Sequence, residues 1–267
     1  MVQFIPDKIA PPGELPRVTR ARLLASLKES LDGCNSTIIQ GRAGTGKSML
    51  ATDFARQCGR RVAWYKVEAP ESELPTFFQY LCASVCAERP GFGQRIFERL
   101  GETVRFEDVP LLVEYFVYEL LESNEPLLVV IDDLHLVYDA EWMVPFFRRL
   151  LPLLPPEVHF LLIGRSLPPT PLWRMRSKQT LCVIDESALA FTLQEARKLF
   201  TSYGLSGERA ESLLVETRGR AATLDAHVRS LSIREEAARL VTARDARHSG
   251  ALRLVKGFTR KSSMGAA

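Results

Sequence analysis

Eight consecutive residues constrain this chain more than any other feature: Gly41-Arg42-Ala43-Gly44-Thr45-Gly46-Lys47-Ser48. A β-rich run, Thr37 to Gln40, precedes them, and a segment of helical period, Lys47 to Arg56, follows. The string fits G-x-x-x-x-G-K-[ST] at every specified position, in the strand-loop-helix setting that this pattern requires. Glycines let the backbone turn tightly and expose consecutive N–H groups, and the helix N-terminus adds its positive partial charge, so the loop is built to cradle phosphate. Lys47 is placed to reach the β- and γ-phosphates of a nucleotide, and Ser48 to offer a hydroxyl to a bridging magnesium ion.

Further β-rich runs at Arg61 to Val67, Leu127 to Asp132 and His159 to Gly164 alternate with helical candidates at Leu74 to Cys86, Pro110 to Glu122 and Trp142 to Leu151. That alternation is the pattern of a parallel sheet covered by helices on both faces, with Leu181 to Ile184 as a short fifth strand. Leu127-Leu128-Val129-Val130-Ile131 is continuously apolar, as a central strand buried on both faces should be. After Asp185 helix follows helix. Thr192-Leu193-Gln194-Glu195 has capping-box spacing, and further helices are expected at Glu208 to Thr217, Ala221 to Leu231 and Arg234 to Ala243. The fold class is therefore α/β, a P-loop NTPase sheet with flanking helices followed by a small all-α domain. The expected organisation is a nucleotide-binding domain over residues 1–185, a helical lid over 186–243 and a basic, flexible tail over 244–267.

A magnesium site of this type needs a carboxylate on a neighbouring strand end, and Asp132-Asp133 closes the apolar run from Leu127. Asp132 is read as the metal-holding acid, and Asp133 as a residue that orients an attacking water or accepts its proton. Arg165 follows the strand His159 to Gly164, either as a surface charge or as a cation that reports the γ-phosphate.

Composition excludes more than it selects. Hydrophobic residues at 46% and charged residues at 25% match ordinary globular usage. Asp7 and Lys8 interrupt any signal-peptide core, and the longest apolar runs fall far short of the ~20 residues needed to span a bilayer, so a cytoplasmic protein without membrane spans is expected. Five cysteines without framework spacing suit a reducing compartment. Cys82 and Cys86 share a helical face and read as packing rather than metal ligands, and no metal cluster is assigned. Residues 232–267 carry eight Lys or Arg against three acids. A basic end of this kind can contact nucleic acid but is more commonly a solvated terminus, and no DNA-binding domain is assigned.

A set of strings in fixed order adds a family resemblance: Ile5-Pro6-Asp7-Lys8, Val18-Thr19-Arg20-Ala21-Arg22-Leu23-Leu24, the P-loop, Val62-Ala63-Trp64-Tyr65, Asp132-Asp133-Leu134-His135, Gly164-Arg165, Pro171-Leu172-Trp173-Arg174-Met175-Arg176 and Leu189-Ala190-Phe191-Thr192. Together these resemble the STAND signalling ATPases, on the branch of the maltose regulator MalT and similar large LuxR-type transcription activators. The resemblance implies an AAA-related nucleotide-binding domain whose helical lid closes on ADP and reopens for ATP when an inducer is sensed. It also implies that Val18 and Arg20 lie near the adenine, that Arg165 is the first sensor arginine, and that Arg174 or Arg176 supplies a second phosphate contact. Gly219-Arg220-Ala221-Ala222 aligns with the family's Gly-Trp-x-Ala lid motif, with Arg220 in the aromatic position.

MalT-like proteins continue into a winged helix, a repeat-built sensor and a helix-turn-helix reader of DNA. The sequence reading therefore expects either a truncated relative or a partner subunit, with ATP or ADP and magnesium as ligands. A protein partner or self-association in the ATP state would read the lid. The alternative is a conventional AAA-type ATPase or another P-loop enzyme with fast turnover. A Ras-like GTPase is disfavoured because no Asn-Lys-x-Asp string occurs.

Overall fold

The structure is a computed structural model that describes residues 5–100, 105–169, 172, 174–178 and 180–239. The expected tail over 244–267 lies outside the described residues, as do Pro171 and Trp173. Cα packing divides the chain into two units, Met1–Phe191 with Arg220–Ala222, and Thr192–Gly219 with Thr223–Ala267.

The first unit is built on five strands: β1 (Ser36–Gln40), β2 (Arg61–Lys66), β3 (Leu127–Asp132), β4 (Val158–Gly164) and β5 (Leu181–Ile184). They hydrogen-bond in the order β2-β3-β4-β1-β5, and every neighbouring pair is parallel. Parallel pairing forces each connection to cross back over a face, and the chain uses helices for this. α1 (Ala21–Gly33) precedes β1, α2 (Lys47–Gln57) follows it, and α3 (Leu74–Glu88), α4 (Gln94–Leu100) and α5 (Val109–Leu121) lie between β2 and β3. α6 (Met143–Leu150) connects β3 to β4, and a short turn, α7 (Glu186–Leu189), follows β5.

Strand side chains alternate between the two faces, and both faces are buried. On one, Val129, Ile131, Phe160 and Leu162 pack with Phe77, Phe78 and Phe116 of α3 and α5 and with Phe146 and Phe147 of α6. On the other, Leu128, Val130, Leu161 and Ile163 pack with Leu23 and Leu27 of α1, with Leu50, Ala51 and Phe54 of α2, and with Leu189. This explains the unbroken apolar run in β3. The run is interior, yet β4 rather than β3 holds the middle position, because β4 separates β3 from β1. Cys82 is buried in the first of these clusters and Cys86 packs against it.

The exception to apolar filling is a polar chain inside the sheet. His159 Nδ1 lies 3.0 Å from Cys34 O, so this nitrogen carries the proton and donates. Nε2 must then accept from the Thr37 hydroxyl at 2.9 Å, and the Ser30 hydroxyl donates to Thr37 Oγ1 at 2.5 Å. The chain ties α1 to β1 and β4.

In the second unit, α8 (Leu193–Ser202) starts on the expected capping box, with Thr192 Oγ1 accepting from Glu195 N and Glu195 Oε2 accepting from Thr192 N. α9 (Ala210–Thr217) packs on α8 and ends at Arg218 and Gly219, both with positive φ. The last described helix, α10, runs unbroken over 221–239. This corrects the two separate helices expected there: Ser232 and Ile233 do not break it, the Ser232 hydroxyl bonding to Tyr203 O at 3.1 Å. Among the described residues no helix is long and apolar enough to cross a membrane.

Burial pushes the His159 pKa down to about 4. A histidine depressed in the folded state gives stability that is present above its unfolded value near 6.5 and is lost as pH falls through the folded value. Denaturant unfolding should therefore show ~3 kcal/mol of acid-linked loss between pH 7 and 4 that is absent from His159→Gln.

Candidate nucleotide site

Since all strands run parallel, their C-terminal ends share one edge, and β1, β4 and β3 deliver Gly41, Arg165 and Asp132 there side by side. The carbonyl groups of the loop after β1 each meet a donor, from Lys47 or from elsewhere in the chain. Lys47 Nζ donates to Gly41 O at 2.6 Å and to Arg42 O at 3.0 Å. Arg220 Nε donates to Ala43 O at 3.0 Å, with Arg220 Nη2 on the same oxygen, and Ala222 N donates to Gly44 O at 2.9 Å. Arg20 Nη1 reaches Thr45 O at 3.4 Å and its Nη2 reaches Gly46 O at 2.7 Å. Gly41 N and Arg42 N are taken by Gly164 O and Glu186 Oε2, and the amides from Ala43 onward are the ones a nest of this kind would offer to an anion. Gly44 and Gly46 have φ of 79° and 82°, the left-handed conformation that glycine adopts without a Cβ penalty.

Arg20 is buried at 5% exposure and spans three segments. Besides Thr45 and Gly46 it donates to Leu189 O at 2.9 Å, and its guanidinium lies 5.5 Å from the Phe191 ring centroid. Val18 is buried just ahead of it. Arg42 is outward, where Glu186 takes both its backbone N–H, at 2.8 Å, and its guanidinium, at 2.6 Å. These bonds hold the Glu186 carboxyl below the usual carboxylate range.

Asp132 is 3% exposed, the neighbouring Ser48 side chain favours its ionised form, and its Oδ1 accepts from Asp133 N at 2.9 Å. Burial raises the Asp132 pKa against the effect of Ser48, and burial lowers that of Lys47 against the attraction of Asp132 and Asp133. A paired hydroxyl and carboxylate are hard oxygen donors of the kind magnesium selects, so these residues fit that ion. Asp133 sits in the left-handed region at φ 57°, a conformation that aspartate tolerates better than most residues. Its Oδ1 lies 3.8 Å from both Arg165 Nε and His135 Nδ1.

The structure thus gathers Gly41 to Ser48, Arg20, Asp132, Asp133 and Arg165. Arg174 and Arg176 are exposed on the turn Arg174–Lys178, and the charges that act on Lys47 come from Asp132, Asp133, Arg165 and Glu186 instead. Glu186, His135 and the contact of Arg220 with the loop were not assigned roles from sequence. Glu186 gives no local signal, since its partner lies 144 residues away, and the lid motif that marks Arg220 does not reveal its bond to a carbonyl 177 residues earlier.

A profile of the AAA ATPase domain matches residues 17–163, more than half of the chain. The chain belongs to the AAA ATPase domain family. In this AAA domain the matched span runs from ahead of α1 to the end of β4 and contains both the phosphate loop and Asp132-Asp133. The fold is similar to the crystal structure of a STAND protein (signal transduction ATPase with numerous domains) with a tetratricopeptide repeat sensor from Pyrococcus horikoshii. That match has 15% identity and a TM-score of 0.56 over 80% of this chain and 30% of that one. The chain therefore spans about 30% of that structure's length. Weaker matches are the Walker-type ATPase of Pyrococcus abyssi, with 12% identity over 91% of this chain and 77% of that one at TM-score 0.48, and the ORC1 protein of Aeropyrum pernix in complex with DNA, with 20% identity over 85% and 63% at TM-score 0.49.

Two substitutions test the geometry. A Cβ at Gly164 would meet the Tyr138 hydroxyl at 2.6 Å, so Gly164→Ala should cost about 1–3 kcal/mol in denaturant unfolding, with partial recovery in the double variant Tyr138→Phe/Gly164→Ala. Arg20→Lys cannot reach carbonyls on two sides at once, and loss of at least one buried bond should lower stability by about 1–3 kcal/mol and weaken nucleotide binding measured calorimetrically.

Proposed function

We propose that the chain is a nucleotide-operated switch of the STAND type, on the MalT and large LuxR-type branch, that binds ATP or ADP with magnesium and hydrolyses ATP slowly. The observation that carries this reading is the contact of residues 220–222 with the phosphate loop: the segment aligned with the family's lid motif donates to Ala43 O and Gly44 O. A loop whose shape depends on that segment is a physical route from bound phosphate to lid state.

In this reading the loop amides hold the β-phosphate and Lys47 leaves its carbonyl partners for the β- and γ-phosphates. Ser48 and Asp132 would hold magnesium, which when bound would neutralise phosphate charge that the protein alone does not. Asp133 orients the attacking water or takes its proton, positioned by Arg165 and His135, both of which approach its Oδ1. Arg165 then senses the γ-phosphate, Arg20 and Val18 border the base, and Arg174 or Arg176 adds a phosphate contact on lid closure. A partner protein or a second copy reads the lid in the ATP state.

A switch needs differential affinity: moving a lid from 1:99 to 99:1 takes ~5.5 kcal/mol between its states, within reach of a triphosphate and its metal. Calorimetric titration of nucleotide-free protein with Mg-ATP, Mg-ADP and Mg-GTP, joined to single-turnover hydrolysis, tests the proposal. Tight ADP, comparable ATP, weak GTP and slow hydrolysis are expected. Weak ADP with turnover above ~1 per second would replace the switch with a conventional AAA-type enzyme. Asp132→Asn, which removes a buried charge, should melt no lower than the parent without ligand at pH 7, while its magnesium-dependent stabilisation by ATP is lost.

A further inference from the structure

The turn that follows β5 is fastened to the phosphate loop near both of the loop's ends. At the start, one carboxylate takes the backbone and the side chain of the same residue: Glu186 Oε2 accepts from Arg42 N at 2.8 Å, and Oε1 accepts from Arg42 Nε at 2.7 Å and from Nη2 at 2.6 Å. Toward the far end, Arg20 bridges Gly46 O, at 2.7 Å, and Leu189 O, at 2.9 Å. Loop and turn also touch directly, since a Cβ added at Gly41 would meet Glu186 Cβ at 3.3 Å and the Leu189 side chain at 3.1 Å.

Arg22 completes the anchorage of the turn, donating to Ala188 O and Ala190 O at 2.6 Å each, and Asp185 caps it by accepting from Ala188 N at 3.0 Å. A turn held in this way gives Glu186 a fixed origin. Its three bonds to Arg42 set the backbone just ahead of the amides that the loop offers to an anion, and a grip on guanidinium and N–H together is more directional than an ordinary exposed ion pair. The carboxylate also acts on the charge of Lys47, and Arg42 and Arg220 both favour its ionised form. An anion standing near a phosphate site repels phosphate unless a cation neutralises it, and Arg42 is that cation. Two residues beyond Ala190 the chain enters the second unit at Thr192.

We propose that Glu186 is a positioning residue of the nucleotide site: it sets the start of the phosphate loop through Arg42 and makes the turn over residues 186–190 respond when the loop binds phosphate. This rests on the nucleotide reading and adds to it a second route from the loop toward the helical unit, along the turn as well as through residues 220–222.

The test combines calorimetric titration of the full chain with Mg-ADP and amide hydrogen exchange over residues 186–192. Glu186→Ala should weaken Mg-ADP about fivefold, because a loop free to relax must be re-ordered on binding. Its melting temperature without ligand should change little, since the Arg42 side chain is 74% exposed. Arg42→Ala should weaken binding further, at least about tenfold, by leaving the carboxylate unneutralised near Lys47, and adding Glu186→Ala to Arg42→Ala should recover part of that loss. In the parent chain Mg-ADP should slow exchange over residues 186–192, and in Glu186→Ala the slowing should shrink. Parent-like or tighter binding by Glu186→Ala, additive losses in the double variant, or exchange over 186–192 that Mg-ADP leaves unchanged in the parent would overturn the proposal, and this last readout does not depend on how a variant folds. Failure of the parent chain to bind any nucleotide would instead overturn the nucleotide reading and take this proposal with it.

Discussion

A loop that reserves N–H groups for an anion must find other donors for its carbonyls, and the site depends on how this chain meets that demand. Lys47 serves Gly41 and Arg42, Arg220 serves Ala43, Ala222 serves Gly44, and Arg20 serves Thr45 and Gly46. The glycines permit the curvature, but flexible glycines alone would leave the loop an ensemble. Cationic and backbone donors from three places in the sequence select one member of it. Pre-organisation of this kind lowers the ordering cost that phosphate binding would otherwise incur.

Strand order does the corresponding work for the acidic side. β4 lies between the strand that ends in the phosphate loop and the strand that ends in Asp132, so the residue after β4 is delivered between them. Arg165 reaches that place through its position in the sheet, and its guanidinium comes to 3.8 Å from Asp133. Register on β4 is in turn pinned by packing on both faces, by the His159–Thr37–Ser30 chain and by the absence of a side chain at Gly164. The geometry at the edge is thus inherited from the interior.

What was legible in the sequence follows from range. The phosphate loop, the apolar β3 with its terminal acids and the Thr192–Glu195 capping box are local patterns, and each has a physical cause within a few residues. The helix over 221–239 was misread at Ser232-Ile233 because a polar residue followed by a β-branched one looks like a boundary, whereas here the serine hydroxyl finds a tertiary partner in Tyr203 O. β3 looked central because full burial on both faces is the signature of any interior strand, and it cannot distinguish the second position from the third. Glu186 and the partner of Arg220 were out of reach for a different reason: the lid motif marks Arg220, but nothing near it in sequence shows that it caps a carbonyl 177 residues earlier.

The spread of those carbonyl donors along the chain has a temporal consequence. During synthesis Gly41 to Ser48 leaves the ribosome early, together with Arg20 and Lys47, but the groups that cap Ala43 and Gly44 are translated only after the whole sheet. Until then water must occupy those two acceptors, and the loop is a half-set mould. The nascent protein consequently acquires its mature phosphate cradle in a late step, when residues 220–222 arrive, and the ribosome delivers that segment only after every strand of the sheet has emerged.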